Sequence, residues 1–351
     1  MEINKKIPVA VLGATGMVGQ CFVQLLAYHP WFRITALASS ERCAGKKYQD
    51  VCHWLLEGEM PAEIGKLVVQ PAQPPLEAKI IFSALPALIA REVEPLFAEV
   101  GYIVCSNASA FRYEEDVPVI IPEINHDHTA LFEKQKKNRG WKGMLVTSPN
   151  CTTSGIALPL KPLHKAFGIR KIFVVTMQAV SGAGYPGLSY LDIEDNVIPF
   201  IGGEEQKIET ETCLLLGKMV GSQRIPANMT ISAQANRVSV KEGHTTCLSI
   251  AFVQKPSRED IISVLENFNG IEGIKGLPSK PKQILVVRQE EDRPQPRKDR
   301  HTNNGMSVTV GRIRPCPILD YRMVTVSHNT LRGAAGGSIL NAELLVAKNL
   351  A

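Results

Sequence analysis

The chain has 351 residues, enough for about two domains. Hydrophobic residues make up 44% and charged residues 21%, which excludes a disordered, collagenous or coiled-coil chain. The formal net charge of +5 suits anionic small molecules such as phosphates, and is too weak and too evenly spread to suggest nucleic acid.

Ile7–Leu12 reads as a β-branched strand bounded by Gly13, and a helix follows from about Met17 to Tyr28, stopped by Pro30. Strands are expected at Ile34–Ala38, Ile80–Ala84 and Tyr102–Cys105, with a helix at Ala87–Val100 between the last two. Val117–Ile121 and Met144–Thr147 complete this set. Continuous apolar strands interleaved with helices predict a parallel sheet covered on both faces, a Rossmann-type α/β domain. No apolar run approaches the roughly 20 residues of a membrane span. The short apolar N-terminal run leads straight into glycines, so it is a strand rather than a signal peptide.

The pattern changes after Pro149. Longer, more alternating strands are expected at Lys171–Ala179, Thr245–Gln254, Ile284–Val287, Met306–Ile313 and Met323–Ser327. Arg258–Phe268 is the clearest helix, with Pro256–Ser257 as its start signal. This predicts an α+β domain with a mostly antiparallel sheet. Arg288–Asn304, rich in charge and Pro, reads as a loop. Gly333–Leu350 starts with small residues and continues as an amphipathic helix that returns to the first domain. The expected division is residues 1–150 with 331–351, and residues 151–330.

Gly13-Ala-Thr-Gly16-Met-Val-Gly19 follows a strand and opens a helix, the context of a dinucleotide turn whose helix N-terminus faces a pyrophosphate. At the end of the second strand, Ser39, Ser40 and Arg42 suit a 2′-phosphate, which favours NADP over NAD. Glu41 is the acidic alternative. Ser148-Pro149-Asn150-Cys151-Thr152-Thr153 places a Cys at a helix start, where backbone N–H groups and the helix dipole favour a thiolate and can hold an oxyanion. A thiol nucleophile needs a base, and His244 follows Gly243 at the mouth of a strand. Arg237, seven residues earlier, can hold a carboxylate in a two-pronged pair. Gln178–Gly184 ends a strand in a glycine loop. Glu204, Glu205 and Lys207 open a helix.

The eight cysteines form no C-x-x-C pair, hence no disulfide or zinc framework, and a reduced, cytoplasmic protein is expected. His126 and His128 suggest a metal pair but lack a third ligand nearby. They are assigned to the surface, and no metal is expected.

Together these stretches resemble aspartate-semialdehyde dehydrogenases of the archaeal and fungal branch. The matches run in order through GATGMVG, SNAS at Ser106–Ser109, SPNCTT, QAVSGAG, GGEEQK, RVSVKEGH, DRPQPR at Asp292–Arg297, VGRIR at Val310–Arg314 and HNTLRGAAGGS at His328–Ser338. Ser239 departs from this pattern, standing where Pro is frequent. The resemblance implies reduction of 4-phospho-L-aspartate to L-aspartate 4-semialdehyde by NADPH through a thioester on Cys151, with His244 as acid/base and Gln178 orienting the Cys and the intermediate. It places Arg237 on the substrate carboxylate and Glu204 on its ammonium. Arg112, Lys207, Asn107 and Asn150 form the phosphate subsite. The cofactor would lie on Gly13, Thr15, Gly16, Met17, Val18, Ser39, Ser40, Arg42, Ser83, Ser181, Gly182 and Asn329, with Gly333, Gly336 and Gly337 near the nicotinamide. Inorganic phosphate is the co-product, and a homodimer or homotetramer through the second sheet is implied. The rival readings are an NADPH-dependent malonyl-CoA reductase, which needs no ammonium site, and an NADP-binding redox regulator, which needs no His244–Arg237–Gln178 set.

Overall fold

The computed structural model describes residues 5–271 and 276–351. Its strands, in chain order, are β1 (Ile7–Leu12), β2 (Phe32–Ser39), β3 (Val69–Pro71), β4 (Ile80–Ser83), β5 (Ile103–Ser106), β6 (Met144–Thr147), β7 (Ile169–Gln178), β8 (Val197–Ile198), β9 (Lys218–Val220), β10 (Gln223–Ile225), β11 (Thr230–Val238), β12 (His244–Phe252), β13 (Leu285–Arg288), β14 (Val308–Pro315) and β15 (Tyr321–Ser327).

The first six form one parallel sheet in the order β3-β2-β1-β4-β5-β6. Its strands are buried on both faces, as their unbroken apolar runs require. Val9 and Val11 point into one core with Phe22, Phe32 and Phe82, whereas Ala10 and Leu12 point into the other with Ile81, Phe97 and Val104. Helix Met17–Leu26 covers the first face and helix Ala87–Val100 the second. The chain order reverses at β1–β4, so the crevice beyond the carboxyl ends of these strands lies where such sheets bind ligands.

The second sheet is mixed, in the order β13-β14-β15-β12-β7-β11-β8; β7–β11 and β13–β14 are parallel pairs and the remaining pairs antiparallel. Helices Cys151–Phe167, Glu204–Leu216 and Arg258–Glu266 contribute to a single apolar core with it, including Ile156, Leu160, Ile208, Leu215, Ile261, Val174, Leu248 and Val310. A capping box between Ser257 and Asp260 starts the last of these helices. Among the described residues no helix is long and apolar enough to cross a membrane.

Several expectations need correction. Val117–Ile121 is not a strand: Pro118 and Pro122 remove donors at both ends, and the segment makes one bridge, Val119 to Thr147. The 288–304 segment is not a plain loop: it carries the end of β13 and a short helix, Pro296–Asp299, and buried Asp299 accepts from Arg293 Nε and the Gln295 N–H. His128 is not on the surface: it is buried, with Nδ1 beside Asn125 Nδ2 at 3.1 Å, and burial pushes its imidazole down to about 4. The terminal helix is not amphipathic. A π-turn, Leu331–Ala335, leads into Gly336–Ala347, which is buried almost all round because it fills the face of the first sheet beside helix Met17–Leu26.

That π-turn is anchored by a buried ion pair. Arg332 Nη1 and Nη2 bind Glu123 Oε1 and Oε2 at 2.6 and 2.7 Å, and both side chains are excluded from solvent. Glu123→Ala strands the guanidinium, at a cost of about 3–5 kcal/mol. Calorimetry is expected to show a clearly lowered thermal midpoint; an unchanged midpoint would mean the pair is dispensable.

Candidate active site

The second sheet brings the site together at one edge. β7 and β11 run parallel with Gln178 beside Arg237, so both side chains emerge at the strands' carboxyl ends. β12 is antiparallel to β7 and starts at this edge with His244, paired to Ser327 of β15, after which come His328 and Asn329. Helix Cys151–Phe167 presents its first residue to the same edge.

Cys151 Sγ lies 3.3 Å from His244 Nε2. His244 Nδ1 accepts the Ala179 N–H at 3.1 Å, so the neutral ring carries its hydrogen on Nε2, facing the sulfur. The Ala179 carbonyl accepts from Arg237 Nη1 at 2.8 Å. One peptide residue therefore sets both the imidazole and the guanidinium.

Two carboxylates from helix Glu204–Leu216 reach under the nucleophile. Glu204 Oε1 accepts from Asn150 Nδ2 (2.9 Å), Thr152 Oγ1 (3.1 Å) and Gln178 Nε2 (3.0 Å), while Lys207 Nζ lies 3.7 Å from Oε2. Glu211, fully buried, accepts the Asn150 N–H at 2.6 Å and Arg112 Nη1 at 3.1 Å. Asn150 Oδ1 in turn caps the helix, accepting from the N–H groups of Thr152 and Thr153.

This cap changes the expected electrostatics. The Thr152 and Thr153 N–H groups, expected to favour a thiolate and hold an oxyanion, are shared with Asn150 Oδ1, and the Thr152 N–H and hydroxyl lower the Cys151 thiol only in part. Burial then dominates, with the Glu204 charge adding to it, and the Cys151 thiol is pushed up to about 12 despite Arg112. Burial, with the Arg237 charge adding to it, pushes His244 down to about 3. The resting pair is a neutral thiol and a neutral imidazole.

A cavity of about 440 Å³ opens over Cys151, and Asn107, Arg112, Asn150, Gln178, Glu204, Lys207, Arg237, Ser181, Gly182, Asn329 and Val18 line it. Arg112 spends three donors internally, on Glu211, Ser148 O and Asn107 O, which leaves two of its five. Asn329 Oδ1 accepts the Gly243 N–H and its Nδ2 donates to Ser181 Oγ. Two glycines are needed for closeness: a Cβ on Gly182 would meet Arg237 Nη1 at 2.8 Å, and one on Gly333 would meet Cys151 Cβ at 2.7 Å. Gly336 and Gly337 instead pack against Met306, Leu331 and Arg332 and do not line the cavity.

The dinucleotide turn is built as its spacing requires. Gly13 adopts φ +72°, and a Cβ on Gly19 would strike Gly13 O at 2.1 Å. Helix Met17–Leu26 has no side-chain cap, so its N-terminus suits a pyrophosphate. Thr15 Oγ1 is 2.8 Å from Ser39 Oγ; Ser40 and Arg42 are exposed beside them. Ser83 is buried at the carboxyl end of β4. A second cavity, of about 700 Å³, begins at Met17 and adjoins the first through Ser181, Gly184 and Thr330. These residues fit a dinucleotide.

Sequence reasoning missed Glu211, Thr152 and the Ala179 main chain. Glu211 had a signal: it lies seven residues after Glu204, on the same helix face. Ala179 had none, because its role is borne by the backbone.

A glycine-turn parallel sheet joined to a mixed sheet that holds a Cys–His pair in the cleft defines a two-domain dehydrogenase built around a cysteine nucleophile. Residues 8–132 match the family described as semialdehyde dehydrogenase, NAD binding domain, and residues 160–332 match semialdehyde dehydrogenase, dimerisation domain. The chain is 51% identical to an aspartate-semialdehyde dehydrogenase of Archaeoglobus fulgidus, over 97% of this chain and 98% of that one. A crystal structure of aspartate semialdehyde dehydrogenase with NADP from Candida albicans is similar with a TM-score of 0.91 at 43% identity, covering 98% of this chain and all of that one. Malonyl CoA reductase (NADP) of Metallosphaera sedula is 38% identical over 99% of this chain and 98% of that one. The chain belongs to the aspartate-semialdehyde dehydrogenase family.

Because the resting thiol titrates far above neutrality, its alkylation is limited by a small thiolate fraction. Iodoacetamide labelling of Cys151 in the ligand-free protein, followed by peptide mapping, is expected to accelerate about tenfold per pH unit between pH 7 and 9. A plateau near pH 6–7 would instead reveal a thiolate–imidazolium pair.

Proposed function

We propose that the protein reduces 4-phospho-L-aspartate to L-aspartate 4-semialdehyde with NADPH, through a thioester on Cys151. The observation that carries this reading is the Cys151 Sγ–His244 Nε2 contact, set in a cavity that Arg237, Lys207 and Arg112 also line. The domain division at 150/151 and 330/331 is part of the same reading.

Arg237 holds the substrate α-carboxylate in a two-pronged pair, and Glu204 faces the ammonium. Lys207 and Arg112, with Asn107 and Asn150, hold the phosphate. Cys151 sulfur attacks the acyl carbon and the C–O bond to phosphate breaks. The proton lost by the thiol balances the one gained by the leaving phosphate. The thioester matters because a carboxylate is a poor hydride acceptor.

When bound, NADPH supplies the hydride. Gly13, Thr15, Gly16, Met17 and Val18 would hold it, with Ser39, Ser40 and Arg42 for a 2′-phosphate and Ser83, Ser181, Gly182 and Asn329 as further contacts. His244 donates from Nε2 to the oxyanion of the resulting thiohemiacetal, a stabilisation worth about 10²–10³-fold. Gln178 holds Glu204 and the intermediate in register. Collapse of the thiohemiacetal releases the aldehyde and returns sulfur as thiolate, which takes up one proton. The protein acts as a homo-oligomer, dimer or tetramer, with the exposed face of the second sheet, around Phe173, in the interface.

The decisive experiment is NADPH formation from aspartate semialdehyde and NADP, with and without inorganic phosphate. Turnover that requires phosphate is the expected result. No turnover, together with NADPH oxidation by malonyl-CoA, would move the chain to acyl-CoA reduction. In the same assay, Arg237→Lys is expected to raise KM for the semialdehyde about 10-fold or more with a smaller loss in kcat, since Lys cannot reproduce the fork. An unchanged KM would reject the carboxylate clamp.

A further inference from the structure

We propose that Glu242, His301 and His328 form a site for a divalent first-row transition ion, Zn²⁺ being the best match. The inference is independent of the reaction proposed above. The ligand atoms of these three residues lie within 4.8 Å of one another, at the wall of the 700 Å³ cavity. They come from three separate parts of the chain: the turn before β12, the 288–304 segment, and the residue after β15.

The spacing is close to that of a bound ion. His328 Nε2 and Glu242 Oε2 are 3.5 Å apart, and two ligands about 2.0–2.2 Å from a tetrahedral zinc stand roughly 3.3–3.6 Å apart. Two imidazoles and one carboxylate with open positions favour zinc-type ions over Mg²⁺ or Ca²⁺, which prefer oxygen ligands. His328 is buried, so its ring is already oriented. In the metal-free state its Nδ1 is 3.4 Å from the Leu331 N–H, and Nε2 carries hydrogen toward Glu242. When the ion takes Nε2, the ring hydrogen moves from Nε2 to Nδ1, which gives up its long contact with the Leu331 N–H and donates instead to Thr330 Oγ1, 3.3 Å away, the outer hydrogen bond a ligating His needs.

His301 is exposed, and Arg300 Nε contacts its Nε2 at 3.2 Å, so the Nδ1 face or a small ring rotation supplies the third ligand. Arg300, whose Nη1 binds Glu242 O, opposes a cation here, and the Lys241–Glu57 pair nearby is neutral overall. The ion would therefore be held moderately and would be exchangeable. Its place gives it an effect: Glu242 adjoins Gly243, and His328 adjoins Asn329, which accepts the Gly243 N–H. Binding would brace the turn that carries His244 and tie the 288–304 segment to it.

The test titrates Zn²⁺ into the chelator-treated full chain by calorimetry, with Co²⁺ absorption as a second probe. The variants are His301→Asn, Glu242→Gln and Cys151→Ser. One equivalent is expected to bind the wild type and Cys151→Ser alike, with no sulfur-to-cobalt band and with a raised thermal midpoint. His301→Asn and Glu242→Gln should each weaken binding about 100-fold or more while melting normally without metal. Binding unchanged in both of these variants, or lost in Cys151→Ser with a sulfur band in the wild type, would overturn the proposal, the second result placing the ion on the catalytic pair.

Discussion

The site depends on Asn150 being held from both sides. Its N–H is bound by buried Glu211, its side-chain amide by Glu204, and its Oδ1 caps the helix that begins at Cys151. Burying two carboxylates on one helix is unfavourable unless each is paired. Here Arg112, reaching over from the region after β5, pairs with Glu211, and Thr152, Gln178 and Lys207 surround Glu204. The joint between the two sheets and the seat of the nucleophile are thus one network. Removing Glu211 alone would leave the Arg112 guanidinium and the Asn150 N–H buried without their carboxylate.

Around this joint, closeness is obtained by omitting side chains. A Cβ on Gly155 would meet Ser327 Oγ at 2.3 Å, one on Gly333 would meet Cys151, and one on Gly182 would meet Arg237 and His244. Helix Cys151–Phe167, the π-turn and the 180–184 loop can therefore converge on a single sulfur. The π-turn supplies the last contact because Glu123 fixes Arg332 within it. Such distortions of a helix commonly mark functional sites.

What was legible in the sequence is what local pattern encodes. β1, β2, β4 and β7 are apolar or β-branched runs, and the glycine turn and the capped Cys helix carry their signals in neighbouring residues. β11 was missed because Thr-Ile-Ser-Ala-Gln-Ala-Asn has little strand preference of its own; it is a strand because it pairs with β7. Val117–Ile121 shows the reverse, a strand-like composition denied a ladder by flanking prolines. Among site residues, Cys151 and His244 stood out through motif context. The carboxylate beneath them, Glu211, was passed over, and the cluster of Glu242, His301 and His328 was invisible because its members are separated by tens of residues. His128 was misplaced because a polar dipeptide neighbourhood says little about burial.

The charge arrangement argues for the phosphorylated amino acid over the acyl-CoA substrate. Three cations, Arg237, Lys207 and Arg112, line the cavity with one carboxylate, Glu204, while Glu211 lies buried behind it and pairs with Arg112. A phospho-aspartate brings a carboxylate, a phosphate and an ammonium, one for each remaining kind of group. Glu204 Oε1 is already saturated by three donors, so an ammonium would bind at Oε2, in competition with Asn150 Nδ2 at 3.0 Å and Lys207 at 3.7 Å. A phosphate that drew Lys207 toward itself would leave Oε2 with Asn150 Nδ2 alone and more open to the ammonium, so that the two halves of the substrate would assist each other's binding. Malonyl-CoA offers neither charge at those places: it would leave Glu204 Oε2 and Lys207 paired with one another and the site no better ordered than before it bound.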